Sequence, residues 1–122
     1  MIVDDDEDFI YIEEQMLKKA GYDVIPAVGG KECLAKLKNE TPDIILMDVM
    51  MPEIDGWEVT KIIKGDKETK NIPVIMVTVK GSDNAKTRSF IYSHADGHVV
   101  KPIIEKELIE TVRWVLDKGG VK

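Results

Sequence analysis

The sequence predicts a three-layer α/β sandwich, a doubly wound parallel sheet of five strands with five helices packed on its faces. Three observations predict it. Short, nearly continuous apolar runs recur along the chain, as expected of strands buried on both faces. Longer stretches with helical spacing separate those runs. The 122 residues, 43% of them hydrophobic, suffice for one core and so for one domain spanning residues 1–122.

The elements follow in order. Met1–Val3 is the first strand, short enough to suggest that a few residues ahead of it are missing. Phe9, Ile12, Met16, Leu17 and Ala20 share one helical face, and Gly21 supplies the stop. Tyr22–Pro26 is the second strand, and Leu34 and Leu37 mark the second helix. Ile44–Met47 is the third strand, followed by a helix built on Val59, Ile62 and Ile63. Val74–Val77 is the fourth strand. The helix over Ser82–Ser93 is the weakest, with Ser82 as N-cap and only Ala85, Phe90, Ile91 and Tyr92 to bury. Val99–Val100 is the fifth strand. Leu108, Ile109, Val112, Val115 and Leu116 form the clearest stripe, which Gly119-Gly120 is expected to close.

Composition narrows the function. With 17 basic and 23 acidic residues the net charge is −6, which argues against a general nucleic-acid surface. No apolar run approaches the ~20 residues of a membrane span, and the acidic start is wrong for a signal peptide. A single cysteine, Cys33, makes no internal disulfide, so a cytoplasmic location is the expectation. Cys33 reads as small core packing rather than a nucleophile.

Open parallel sheets bind ligands beyond the carboxyl ends of their strands. Asp4, Asp5 and Asp6 follow the first run, Asp48 the third, Thr78 the fourth, and Lys101-Pro102 the fifth, whereas the second ends in Pro26-Ala27. Each has an ordinary explanation: helix-capping acids, a turn aspartate, a solvated lysine, a strand threonine. Their convergence on one sheet edge is harder to explain that way. Clustered carboxylates repel unless a cation neutralises them, and few hard oxygen ligands suit Mg²⁺. A lysine and a threonine hydroxyl beside them can hold a phosphoryl oxygen. The combination describes phosphoryl transfer to a carboxylate.

In register, Ile2-Val3-Asp4-Asp5-Asp6, the segment Pro42–Pro52 around Asp48 with Asp55-Gly56, Pro73–Thr78, and Ala95–Pro102 resemble the four motifs of response-regulator receiver domains, the CheY-like family. The resemblance spans essentially the whole chain. It implies the flavodoxin/CheY-like strand order 2-1-3-4-5, with Asp48 as the phosphorylated residue. It makes Asp5 a direct ligand of Mg²⁺ (with Mn²⁺ as a substitute), Asp48 and the backbone carbonyl of Met50 further ligands, and Asp4 a ligand mainly through water. Thr78 and Lys101 would hold the phosphoryl group, and the Lys101–Pro102 bond would be cis. The implied donor is a sensor histidine kinase or phosphotransfer protein. The implied reader is a downstream protein target or output domain, docking on the fourth helix, fifth strand and fifth helix. A homodimer formed on phosphorylation is compatible with this pattern, as is membership of a longer regulator. The implied activity is a switch that catalyses only its own phosphorylation and dephosphorylation, without direct contact to nucleic acid or membrane.

The chain departs from the pattern at several positions. His98 stands where relatives usually carry Tyr or Phe, so its charge can vary near neutral pH; an exposed edge-strand residue without a switching role is the equal alternative. Val79 stands where relatives prefer Ala, Gly or Ser, and its branched side chain would crowd access to the phosphoryl site. His94 replaces a common Gly and is expected to be simply exposed. Trp114 lies off the stripe of the last helix and is a candidate partner contact together with His98. Trp57 is expected to pack into the domain. Asp4-x-Asp6 after a strand also suggests a haloacid-dehalogenase-like phosphatase, but the late acidic motif and cap domain of that class are not visible. A binding-only pseudo-receiver has just Val79 and His98 in its favour. A flavodoxin-like carrier lacks its phosphate loop after the first strand.

Overall fold

The computed structural model describes residues 1–80 and 94–121, so the helix expected over Ser82–Ser93 lies outside the described residues. The elements run β1 (Ile2–Asp4), α1 (Glu7–Lys19), β2 (Pro26–Val28), α2 (Gly30–Lys36), β3 (Ile45–Asp48), α3 (Gly56–Gly65), β4 (Val74–Val79), β5 (Gly97–Lys101) and α4 (Glu105–Val121). Four helices therefore stand among the described residues. The five strands are parallel in the order β2-β1-β3-β4-β5.

Strand alternation sends successive side chains to opposite faces, and both faces are buried here. Val3, Ile45, Met47, Val74 and Met76 join Cys33 of α2 and Val59 and Ile63 of α3 in one core layer. Ile2, Leu46, Ile75, Val77 and Val99 meet Ile10 and Leu17 of α1 and Leu108, Val112 and Val115 of α4 in the other. Trp57 packs against the first layer and Cys33 is fully buried in it, both as expected.

Several expectations need correction. The second strand lies at Pro26–Val28 rather than Tyr22–Pro26. It is an edge strand with β1 as its neighbour, so it needs no apolar run, and Pro26 lacks only an N–H that an edge can spare. The buried stripe of α1 is Ile10, Glu13 and Leu17, while Ile12 is exposed. In α3, Ile62 is exposed and Thr60 is buried in its place, its hydroxyl 3.5 Å from Met76 Sδ. The last helix continues past Gly119-Gly120 to Val121. Glycine ends a helix by adopting a left-handed conformation, as Gly21 does after α1 with φ +98°.

Register brings the strand ends together. Val3 lies beside Met47, so Asp4 and Asp48 are the next residues on neighbouring strands, and Val79 pairs with Lys101. Behind Asp48 the chain turns through Val49, whose carbonyl accepts from Gly56 N–H at 2.9 Å. A Cβ on Gly56 would sit 2.2 Å from the Asp48 carbonyl oxygen. That neighbour is backbone and cannot rotate away. Gly56→Ala is expected to lower unfolding stability by about 2–3 kcal/mol through overpacking. Chemical denaturation checks this, as a lower midpoint at unchanged slope; a midpoint equal to that of the parent would show that the turn gives freely.

Candidate functional site

The cleft at the carboxyl edge of the sheet holds about 430 Å³ and is lined by Asp4, Asp5, Asp6, Phe9, Asp48, Met50, Val79, Lys101 and Pro102. Each strand end contributes differently. β1 ends in Asp4, which is 1% exposed, and the Asp6 N–H donates to its Oδ1 at 3.0 Å. Asp5 is exposed at the rim. Asp6 turns instead to the helix, capping α1 by accepting from Asp8 N–H at 2.9 Å. The acidic run thus divides into two site carboxylates and a cap. β3 ends in Asp48, 4% exposed. β5 ends in Lys101, 8% exposed, and the Lys101–Pro102 bond is cis.

Oxygens of Asp4, Asp5 and Asp48 lie within 4.8 Å of one another, a grouping able to hold a cation. Lys101 Nζ donates to Asp4 Oδ2 at 2.8 Å and lies 3.5 Å from Asp48 Oδ1. Its ammonium also sits over the Phe9 ring, 4.1 Å from the centroid. The electrostatics follow from crowding under cover. Burial, then the charge of Asp4, pushes the Asp48 carboxyl up to about 7, against the attraction and hydrogen bond of Lys101; Asp5 adds a further upward push. For Lys101, burial alone would lower the ammonium's pKa. The bond to Asp4 and the charges of Asp48, Asp4 and Glu13 outweigh it and raise the pKa above the usual lysine range.

Asp4, Asp5, Asp48, Met50, Val79 and Lys101 thus meet in one cleft. Thr78 is placed differently. It is 2% exposed and does not line the cleft; its hydroxyl is 2.7 Å from His98 Nε2. His98 is itself exposed on β5. Val79 is 47% exposed at the mouth, and Trp114 on α4 is 54% exposed with Lys118 Nζ 4.3 Å from its ring centroid. His94 is exposed, as expected.

Two residues near the cleft were not singled out from the sequence for it. Phe9 carries the lysine, and Glu13 of α1 is buried close enough to Asp4, Lys101 and Asp48 for their charges to act on it. Glu13 is 1% exposed, and its Oε1 has no hydrogen-bond partner among the described residues. Burial first, and then Asp4, pushes its carboxyl up to about 7, with Asp48 adding to this and Lys101 opposing it. The helical spacing of Ile10, Glu13 and Leu17 was the available signal.

A parallel sheet in this order, with acids ending β1 and β3 and a lysine ending β5, defines a doubly wound α/β domain with a charged cleft at the carboxyl edge of its sheet. The family model "Response regulator receiver domain" matches residues 1–113, and the chain belongs to that family. It is similar to Protein PilH of Pseudomonas aeruginosa, 36% identical over 116 residues that cover 95% of this chain and 95% of PilH. Protein PilG of the same organism is 35% identical over 113 residues, 93% of this chain and 83% of PilG. The crystal structure of a CheY-like response regulator receiver domain protein from Methanospirillum hungatei superposes with a TM-score of 0.86 at 29% identity, covering 100% of this chain and 96% of that one. The chain is accordingly a receiver domain of two-component signalling. Among the described residues, no helix is long and apolar enough to cross a membrane.

Proposed function

We propose that this receiver accepts a phosphoryl group on Asp48 from the phosphohistidine of a sensor histidine kinase or phosphotransfer protein, and turns over no other substrate. The observation that carries the reading is Lys101 Nζ lying 2.8 Å from Asp4 and 3.5 Å from Asp48 inside the three-carboxylate cluster. Asp4, Asp5 and Asp48 are hard oxygen donors that fit Mg²⁺, and the Met50 carbonyl would add to them. When bound, Mg²⁺ supplies positive charge to the carboxylates and to the phosphoryl oxygens.

The chain's own residues do the rest. An Asp48 carboxylate oxygen attacks phosphorus, the O–P bond forms as the P–N bond to the donor imidazole breaks, and the imidazole leaves with the bonding pair. Lys101 is already aimed at Asp48 and would pair with a phosphoryl oxygen there, which needs no reorganisation during the reaction. Phe9 beneath the ammonium limits where it can move. In this reading downstream proteins dock on the expected fourth helix, which lies outside the described residues, together with β5 and the last helix α4, where His98 and Trp114 are exposed.

Val79 controls entry in this account, since its branched side chain lines the cleft directly beside Lys101. Val79→Ala is expected to speed phosphorylation by acetyl phosphate, or hydrolysis of the acyl phosphate, severalfold. Timed phosphoprotein assays with Mg²⁺ measure both rates. Unchanged values for both would remove Val79 from the mechanism, and no labelling of either protein would favour a binding-only module.

A further inference from the structure

The chain carries six methionines and one cysteine. Met1, Met47, Met51 and Met76 are buried in the first core layer, and Met16 is partly buried against the second. Met50 stands apart at 68% exposure. It lies between Met47 and Met51 in sequence, yet it lines the cleft at the carboxyl edge of the sheet. Apart from Phe9, Val79 and Pro102, the rest of that lining is charged. Cys33 is the other sulfur that a peroxide would seek. It is fully buried, and burial pushes its thiol up to about 12, so no thiolate is offered at neutral pH. An oxidant arriving through water therefore meets the Met50 sulfur first, in the same cleft as Asp48.

We infer that Met50 is an oxidation site for hydrogen peroxide and small organic hydroperoxides, and that its sulfoxide shortens the life of the phosphoryl group on Asp48. A lone pair of the thioether sulfur attacks one peroxide oxygen, and the S–O bond forms as the O–O bond breaks. The departing oxygen takes the proton of the oxygen now on sulfur and leaves as water, or as an alcohol from an organic hydroperoxide. Sulfur is oxidised by two electrons and the peroxide is reduced by two. A methionine sulfoxide reductase reverses the change, the oxygen leaving as water while two thiols become a disulfide. Oxidation turns an apolar side chain into a polar one whose oxygen accepts hydrogen bonds and donates none, so it holds water where the thioether did not. An acyl phosphate lasts only while water is kept from its phosphorus. Water held in the cleft attacks phosphorus, the bond from the Asp48 oxygen to phosphorus breaks, and inorganic phosphate leaves with the Asp48 carboxylate restored. Met50 thereby gives the switch a redox input.

The inference rests on the proposed phosphorylation of Asp48, and its test separates the two. The protein is treated with hydrogen peroxide, quenched with catalase and mapped by peptide mass spectrometry, with circular dichroism confirming that it stays folded. Treated and untreated samples are then phosphorylated with acetyl phosphate and Mg²⁺, and loss of the phosphoryl group is timed after the donor is removed. The expected result is one added oxygen on Met50 before any other methionine, and a phosphoryl lifetime severalfold shorter in the oxidised protein. Methionine sulfoxide reductases with a dithiol should restore the lifetime. Met50→Leu, whatever its own lifetime, should show the same value before and after peroxide. Oxidation that falls first on another methionine, equal lifetimes with and without oxidation, or the same shortening in Met50→Leu overturns the inference and leaves the phosphorylation reading standing. Absence of a phosphoryl adduct on the untreated protein overturns the phosphorylation reading and the redox input with it.

Discussion

Glu13→Leu should raise the melting temperature by roughly 10 °C near pH 8, and the gain should shrink as pH falls. Glu13 is 1% exposed with Oε1 lacking a hydrogen bond among the described residues, and its carboxyl is pushed from 4.5 up to about 7. Below pH 4.5 the group is protonated in both folded and unfolded chains and contributes no pH-dependent cost. Between 4.5 and about 7 the unfolded chain releases the proton that the folded one keeps, so stability falls as pH rises. Above about 7 the loss is complete, at about 3 kcal/mol. Leucine removes the ionisable group and the orphaned acceptor together. Glu13→Gln, which removes only the charge, should flatten the same interval while gaining less. Thermal unfolding of the three proteins from pH 5 to 9 checks this. A constant offset between wild type and Glu13→Gln across that range would show that Glu13 does not titrate there.

The second large effect concerns Lys101. Lys101→Met keeps a long unbranched chain over Phe9 but removes the charge from beside Asp4 and Asp48. Asp4, at 1% exposure, loses a charge-assisted bond of 2.8 Å. Breaking one side of a buried pair typically costs about 3 kcal/mol, and that is the expected loss of stability in metal-free buffer. Phosphorylation by acetyl phosphate should slow about 100-fold, the usual consequence of deleting one preorganised group that meets developing charge. Denaturation and timed phosphorylation measure the two separately. A wild-type rate in a folded Lys101→Met protein would remove the lysine from the chemistry.

Much of this arrangement could be read from the sequence because the sheet is buried on both faces. Continuous apolar runs located β1, β3, β4 and β5, and the polar residue ending each run then fell on one edge. Asp4, Asp48 and Lys101 were legible for that reason. The edge strand β2 was not, because one neighbour and partial exposure leave no continuous apolar pattern to find. The phase of α1 was ambiguous for a different reason. Phe9-Ile10 and Tyr11-Ile12 are adjacent apolar pairs, so stripes through 9, 12 and 16 or through 10, 13 and 17 fit helical spacing equally well. A glutamate in the second stripe argued against the one that is buried. Tertiary structure overrode that signal by placing Glu13 within electrostatic reach of Lys101. The turn of Thr78 toward His98 was equally hidden, since it depends on strand register between β4 and β5.

The central claim is that Asp48 is the phosphoryl acceptor, and intact-protein mass spectrometry tests it most directly. The protein is incubated with Mg²⁺ and acetyl phosphate beside an Asp48→Ala control. The account predicts the mass of one added phosphoryl group, labile to base, on the wild type alone and only when Mg²⁺ is present. An adduct of equal yield on Asp48→Ala, or none on the wild type and none on Val79→Ala, would contradict it.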